Sequence, residues 1–283
     1  MENPPYDFSA KLERALVHVA NLADAIQGFI DGGAYAIEID SDSKAFEYIL
    51  RGRVHKDTPS REWGLFIGDA VNNLRSALDN LIWQLTVLEK GPAPDDPLPF
   101  GSEWRDVRFP IIIRPASWAK AARKNLWGVR PSLRADIEAL QPFVTGKNAP
   151  EREPLAVLEE LWNIDKHRHL HLAQCFVGLE NILSRTAEIW GPMWPKDLRH
   201  EYVIISKHPI GPFKDGAELG RFHEQGGNAI VGIPQVYVKA NLAFDVAFDQ
   251  GPPAYGGRVI QTLAILCEKV IDIIWQFHTE FPV

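Results

Sequence analysis

The segment 68–85 carries an arginine and several short amides and acids at spacings that could bind an anionic group. At about 100° per residue on a helix, one half is apolar: Val71, Leu74, Ala77, Leu78, Leu81, Ile82 and Leu85. The polar half, with Arg75 at its edge, consists of Asp69, Asn72, Asn73, Ser76, Asp79, Asn80 and Trp83. Solvated helix faces usually carry Glu and Lys, because Asp and Asn compete with the backbone for hydrogen bonds. The pattern predicts a face that hydrogen-bonds a ligand; a solvated face, or one tied into a neighbouring loop, stays open.

The segment 155–172 predicts a second helix, with charged side chains on its apolar side. Asp165, Arg168 and His169 fall inside the apolar arc, whereas Glu159 lies on the other side. Because an isolated buried charge is costly, these groups must be paired or hydrogen-bonded. Either an Asp165–Arg168 pair pins helices together, or a polar cavity lies between this helix and the first one.

If the two helices lie side by side, their polar groups define a candidate catalytic centre. Arginine would hold a phosphate, an imidazole would transfer protons, and a carboxylate would orient the imidazole. The candidate catalytic residues are Arg75, Asp79, Asn80, Asp165, Arg168 and His169. The candidate substrate-binding residues are Asn73, Ser76, Trp83, Trp162 and His167.

The histidine-rich run DKHRHLH does not predict a metal site. On a helix, residues spaced by two, as in His167, His169 and His171, point about 200° apart in turn. They cannot converge on one ion unless the segment is a strand. An Asp165–His169 pair could supply two ligands, but no third ligand is near in sequence. Since glycine-rich nucleotide-binding loops are also missing, we expect neither a metal nor a cofactor.

The elements that position these residues are predicted to be mostly helical. Apolar residues at helical spacing predict further helices over 9–30, 63–88, 117–127, 131–140 and 257–278. The stripe of the first helix is Leu12, Leu16, Val19, Ala23, Ile26 and Ile30. Two β-rich runs around a polar turn predict a hairpin over 34–54, and an apolar run predicts a buried strand over 109–113. Strands are also predicted over 201–206 and 236–248.

The segregation of helices from strands favours an α+β fold over an alternating βαβ fold. We predict one α+β domain over 1–283, with a helical core and a hairpin after the first helix. In this domain 1–178 is mainly helical, 179–256 is β-rich and forms a C-terminal antiparallel sheet, and 257–279 is the C-terminal helix. No internal repeat or long linker argues for separable domains.

Composition excludes several classes of protein. Hydrophobic residues make up 46% of the 283 residues, which is typical of a globular chain. The net charge of −7 provides no global field for a polyanion, so nucleic-acid binding would need a local basic patch. The two cysteines do not predict a disulfide scaffold. No signal peptide or membrane span is evident, so we expect a cytoplasmic protein without membrane contact.

Two helical segments resemble a widespread group of mostly uncharacterised bacterial proteins. The matching pieces are GDAVNNLRSALDNLIWQL at 68–85, an FPI segment at 109–111, and LEELWNIDKHRHL at 158–170. The hairpin before them also fits that group. The resemblance covers roughly the first 175 residues and implies no assigned activity.

The first of these segments also resembles the signature of the HEPN superfamily of helical ribonucleases and toxins. That signature is an Arg followed by a small polar residue and, a few residues on, a His. Arg75 and Ser76 match, but Asn80 stands where the His would be. The resemblance implies metal-independent RNA cleavage, with His transferring protons and Arg steadying the phosphorane. Because Asn exchanges no proton near neutral pH, His169 or His167 would have to supply the imidazole.

Three functional hypotheses follow. The first is a HEPN-like intracellular bacterial protein that binds RNA, or cleaves it as a metal-independent hydrolase. The second is a non-catalytic binding or assembly module, such as a homodimer, in which a buried Asp/Arg/His network specifies fold or dimerisation. The third is a small-molecule enzyme or binder in which some of the nine tryptophans line a pocket.

Overall fold

A computed structural model describes residues 6–42, 47–94, 98–99, 101–167, 172–177, 202–205, 214–224, 244–248 and 257–281. The helices are α1 Asp7–Asp31, α2 Ser60–Lys90, α3 Trp118–Asn125, α4 Pro131–Ala139, α5 Pro142–Thr145, α6 Pro154–His167 and α7 Val259–Phe277. The strands are β1 Tyr35–Asp42, β2 Glu47–Val54, β3 Leu172–Val177, β4 Tyr202–Ile205, β5 Glu218–Glu224 and β6 Phe244–Phe248. The chain divides into two compact units, 1–25 with 60–172 and 248–283, and 26–59 with 173–247. The single domain over 1–283 stays a prediction.

Helix α2 is the centre of the first unit and packs against α6 and α7. Its predicted apolar stripe is confirmed, because all seven of its residues are buried: Val71, Leu74, Ala77, Leu78, Leu81, Ile82 and Leu85. Burying one such leucine stabilises a fold by about 1.5–3 kcal/mol. Since the stripe is buried along its whole length, the rotation of α2 is fixed, and so is the direction of its polar side.

Helix α1 is confirmed, and it ends at glycines as expected, with Gly33 at a φ of +70°. Its predicted stripe is wrong in part, however. The residues of α1 that are buried are Phe8, Ala15, Leu22 and Ile26, whereas Leu16 is 41% exposed. Apolar residues occur on more than one side of this helix, so periodicity alone could not select the side that packs.

The predicted strand over 109–113 is absent, because the segment forms no strand pairing. Phe109 is fully buried, but Ile113 is 42% exposed. The Ile112 N–H donates to Gln141 Oε1 at 2.9 Å. Side chains from neighbouring helices therefore provide the hydrogen-bond partners that a second strand would otherwise supply.

The predicted helix over 155–172 is shorter in the structure. Helix α6 ends at His167, and Leu172 begins β3 instead. Residues 168–171, which include Arg168 and His169, lie outside the described residues. Over 169–172 polar and apolar residues alternate in the sequence, which is the period of a strand and not of a helix.

The second unit contains the predicted hairpin, which is confirmed. Strands β1 and β2 pair antiparallel, from Tyr35 opposite Val54 to Asp42 opposite Glu47. Cross-strand contacts support this register, such as the Arg53 Nε–Glu38 Oε2 contact at 2.6 Å. Strand β5 pairs with β2, and β4 pairs with β5, both antiparallel.

The two strands predicted near the C-terminus are only partly described. Strand β4 matches the strand predicted over 201–206, and β6 covers the end of the one predicted over 236–248. Residues 225–243 lie outside the described residues. None of the helices in the described part of the chain combines the length and apolar character that a membrane span requires.

Candidate functional site

Arg75 is the centre of the candidate site, and it is a buried guanidinium with several internal partners. The residue is 3% exposed. Its Nε donates to Glu159 Oε2 of α6 at 3.0 Å, and its Nη2 donates to the Phe109 carbonyl at 2.8 Å. Its Nη1 donates to Asp79 Oδ1, one turn further along α2. Each guanidinium nitrogen therefore donates to an acceptor within the protein.

Arg75 and Asp79 together hold both polar backbone atoms of Phe109. Asp79 Oδ1 accepts from the Phe109 N–H at 2.9 Å, while Arg75 binds its carbonyl oxygen. Two side chains spaced by four on α2 thus bind one peptide as a neighbouring strand would. This arrangement, here called the Arg75 clamp, consists of Arg75, Asp79, Glu159 and the Phe109 backbone. It fixes the FPI segment 109–111 without a second strand.

Trp162 of α6 extends the site toward solvent. The Arg75 guanidinium carbon lies 5.2 Å from the centre of the Trp162 ring, and Lys166 Nζ lies 3.0 Å from it. The indole Nε1 donates to Asn72 Oδ1 of α2 at 3.3 Å. Cation–π contacts of this kind stabilise by about 0.5–2 kcal/mol. The contacts of Trp162 with Arg75 and Asn72 hold α6 to α2 beside the clamp, whereas the Lys166 contact lies within α6.

The clamp has an excess of negative charge, since one guanidinium faces two carboxylates. The Asp79 and Glu159 side chains remain 29% and 31% exposed. Burial raises the pKa of Asp79 above its ordinary value, and the nearby Glu159 adds to that effect. Arg75 and the Phe109 N–H oppose it by stabilising the carboxylate.

Asp165 lies elsewhere on the same pair of helices. The residue is exposed overall, so the burial predicted for it from the apolar arc of α6 is wrong. Its carboxylate lies against Gly68 of α2, where a Cβ atom would overlap it. Partial burial and the neighbouring charge of Asp69 raise the pKa of Asp165. Asp165 therefore contacts α2 about two turns before Arg75, and the residue of α6 that binds Arg75 is Glu159.

The other candidate residues fall into four groups. Trp162 contacts Arg75, as described above. Asn73 donates to the Asp69 carbonyl of its own helix at 2.7 Å, and the half-buried Trp83 packs on Trp104, with ring centres 5.1 Å apart. Ser76 and Asn80 are half-buried and make no side-chain hydrogen bond with any described residue. The side chain of His167 and all of Arg168 and His169 lie outside the described residues.

Sequence reasoning missed two members of the clamp, Glu159 and the Phe109 backbone. The sequence feature that could have identified Glu159 is its spacing of three residues from the candidate residue Trp162, which puts both on the same side of α6. The Phe109 peptide carries no side-chain signal at all. Among the described residues, no group of three or more His, Cys, Asp or Glu side chains could hold a metal ion.

Comparisons with known proteins give the chain no relative. No family model matches it, and no curated protein or solved structure matches it either. The two resemblances stated above therefore remain expectations drawn from sequence motifs alone.

Proposed function

We propose that this chain is a non-catalytic binding or assembly module in which the Arg75 clamp fixes the helical unit. The supporting observation is that every nitrogen of the Arg75 guanidinium already donates to an internal acceptor. A catalytic or phosphate-binding arginine directs its donors at its ligand, whereas three of the five N–H donors of Arg75 are directed at internal acceptors. Arg75 instead connects three separate segments: α2, α6 and the FPI segment.

Two other hypotheses receive less support. Cleavage of RNA without metal needs a proton-transfer group, and Asn80 does not provide one. That hypothesis stays a prediction that depends on Arg168 and His169. For a tryptophan-lined pocket, the ring contacts of Trp104 with Trp83 and Trp127 fit core packing better than a ligand site. The proposal also includes a homodimer, a cytoplasmic location and a C-terminal antiparallel sheet within 179–256.

The substitution Arg75→Ala tests the proposal. It leaves two partly buried carboxylates and the Phe109 carbonyl without their partner. We expect it to lower the free energy of unfolding by about 2–3 kcal/mol, less than for a fully buried ion pair because both carboxylates reach solvent. Urea unfolding followed by circular dichroism measures this change. The matched control, Arg152→Ala at an exposed position, should change it by less than about 0.5 kcal/mol.

An RNA incubation separates this proposal from catalysis. Purified wild-type protein is mixed with total RNA in the presence of EDTA, and we expect no cleavage above that of a protein-free sample. The proposal is contradicted if the wild type cleaves RNA and Arg75→Ala abolishes cleavage while unfolding as the wild type does. That result would make Arg75 a catalytic group.

A further inference from the structure

Positive charge is concentrated in one part of this acidic protein. Residues 105–134 contain eight Lys or Arg residues and a single acidic residue, although the whole chain has a net charge of −7. Six of these eight basic residues are arginine. The segment runs from the loop before the FPI segment through α3 to the second turn of α4. It therefore lies entirely in the helical unit of the protein.

Four of the eight basic side chains have structural partners. Lys124 pairs with Asp106 at 3.0 Å, and Arg130 pairs with Glu89 and Glu280. Arg105 and Arg134 donate to backbone carbonyls of nearby loops. Half of the basic residues in this segment therefore make contacts that stabilise the fold.

The other four have no such role. The side chains of Arg108, Arg114, Lys120 and Arg123, here called the basic surface, are exposed and make no hydrogen bond or ion pair with any described residue. Lys120 and Arg123 are spaced by three on α3, so they lie on one side of it. Arg114 directly precedes the turn 115–117 that leads into α3.

Arg108 is brought to the same region by local contacts. The loop that carries it is tied to the end of α3, because Asn125 Nδ2 donates to the Asp106 carbonyl at 2.8 Å. The Arg75 clamp holds the next residue, Phe109. Between Arg114 and Lys120 the exposed residues are Pro115 and the small residues Ala116, Ser117 and Ala119. A ligand backbone can therefore approach the helix closely.

We infer that the basic surface binds the phosphodiester backbone of a nucleic acid. This inference rests on the proposed function in one respect, because it names the partner of a module that binds without cleaving. The guanidinium fork matches the oxygens of a phosphate, and several separate cations fit a ligand with evenly spaced negative charges. Contacts to phosphate carry no sequence information, so RNA and DNA of equal length are both expected to bind.

Other partners fit the surface less well. A stable protein interface needs an apolar centre, and Ile113 is the single large apolar side chain exposed within 105–134. The same scarcity of apolar side chains disfavours insertion into a lipid surface. Carboxylates of a second copy would be the nearest acidic alternative, since Glu268 and Asp272 are exposed on α7. These partners are treated as outcomes of the experiment.

Fluorescence anisotropy of a labelled oligouridine, titrated with the full chain in EDTA, tests the inference. For four phosphate contacts to a single strand, we expect log K to fall against log [KCl] with a slope of about −3. The triple variant Arg114→Gln, Lys120→Gln, Arg123→Gln should reduce that slope by about 2 and weaken binding at least about tenfold at low salt. The matched control Arg14→Gln, Lys147→Gln, Arg152→Gln removes the same charge from exposed positions elsewhere and should change affinity less than about threefold.

Each alternative gives a distinct result. The inference is overturned if the wild type does not bind the oligouridine at low salt, or if both triple variants lose equal affinity. Binding to anionic phosphatidylserine vesicles but not to oligouridine overturns it in favour of a membrane. A wild-type dimer that the first triple variant converts to a monomer, without nucleic-acid binding, overturns it in favour of a second copy. Cleavage of the bound strand would contradict the proposed function and leave the binding inference intact. Charge reversal at one position, Lys120→Glu, serves as a second variant if the triple one unfolds.

Discussion

The Arg75 clamp and the basic surface use the same type of side chain in opposite ways. Arg75 is buried, and its three nitrogens donate to two carboxylates and a carbonyl. Arg114 and Arg123 are exposed and have no such partner among the described residues. A buried guanidinium without acceptors would be strongly destabilising, whereas an exposed one is satisfied by water. Water can be displaced by a ligand, but the acceptors of Arg75 cannot be displaced without loss of stability.

The difference shows that a sequence motif does not by itself distinguish an arginine with internal partners from one that can bind a ligand. The residues that look most like a catalytic motif, Arg75 followed by Ser76, belong to the region where the arginine is already occupied. The residues that remain free for a ligand match no motif, and what distinguishes them is local charge. Substitutions in the Arg75 clamp and in the basic surface therefore test both proposals.

After Arg75→Ala, the next largest effect is expected at Asp79, the carboxylate shared by Arg75 and the Phe109 N–H. Asp79→Ala removes the acceptor of both donors and should lower the free energy of unfolding by about 2 kcal/mol. Asp79→Asn keeps an acceptor oxygen and should cost less than about 1 kcal/mol. Urea unfolding near neutral pH measures both. As a matched control, Asp106→Ala breaks an exposed pair with Lys124 and should cost less than about 0.5 kcal/mol. Equal losses for Asp79→Ala and Asp106→Ala would show that the clamp contributes no more than a surface pair.

A smaller effect is expected when arginine is replaced by lysine in each region. Arg75→Lys keeps the charge but cannot reach three acceptors with one ammonium group, and we expect a cost of about 1–2 kcal/mol in unfolding free energy. Arg123→Lys should leave stability unchanged within about 0.5 kcal/mol, because its guanidinium has no partner among the residues that the structure describes. Thermal and urea unfolding of the two variants make the comparison. If the Arg75→Lys variant is as stable as the wild type, the clamp requires a positive charge at this position but not the geometry of the guanidinium group.

Part of this architecture could be predicted from the sequence. The seven apolar residues of α2 recur with the helical period, and each of them is buried. The period fixes which side of a long helix packs, so the direction of Arg75 toward a neighbouring element was also predictable. The hairpin of β1 and β2 was predictable for a similar reason, since two β-rich runs flank a short polar turn.

The partner of Arg75 was not predictable in this way. Glu159 and Asp165 both contact α2, the first at Arg75 and the second at Gly68, so the choice between them depends on how far along α2 each turn of α6 lies. An apolar stripe predicts which side of a helix packs, but it does not fix that position along the neighbouring helix. The hydrogen bonds to Phe109 involve only its backbone N–H and carbonyl groups. Every residue other than proline has both groups, so the residue type does not indicate which backbone will be bound. The surplus of basic residues over 105–134 can be counted from the sequence, but only contacts distinguish the four free cations from the four engaged ones.

The smallest effect concerns pH, and it distinguishes the clamp from the basic surface because only the clamp contains a carboxylate with a raised pKa. Burial raises the pKa of Asp79 in the folded protein above its ordinary value of 3.8. The folded state then holds the Asp79 proton more tightly than the unfolded state. That contribution to stability is present below pH 3.8 and is lost as pH rises through the raised pKa.

Asn resembles the protonated acid at every pH, so the stability of the wild type relative to Asp79→Asn should fall as pH rises from below 3.8 toward neutrality. Urea unfolding of both proteins across this range measures the difference, and the pair Asp106 and Asp106→Asn serves as the exposed control. A difference that instead grows with pH would mean that Arg75 and the Phe109 N–H stabilise the Asp79 carboxylate more than burial penalises it.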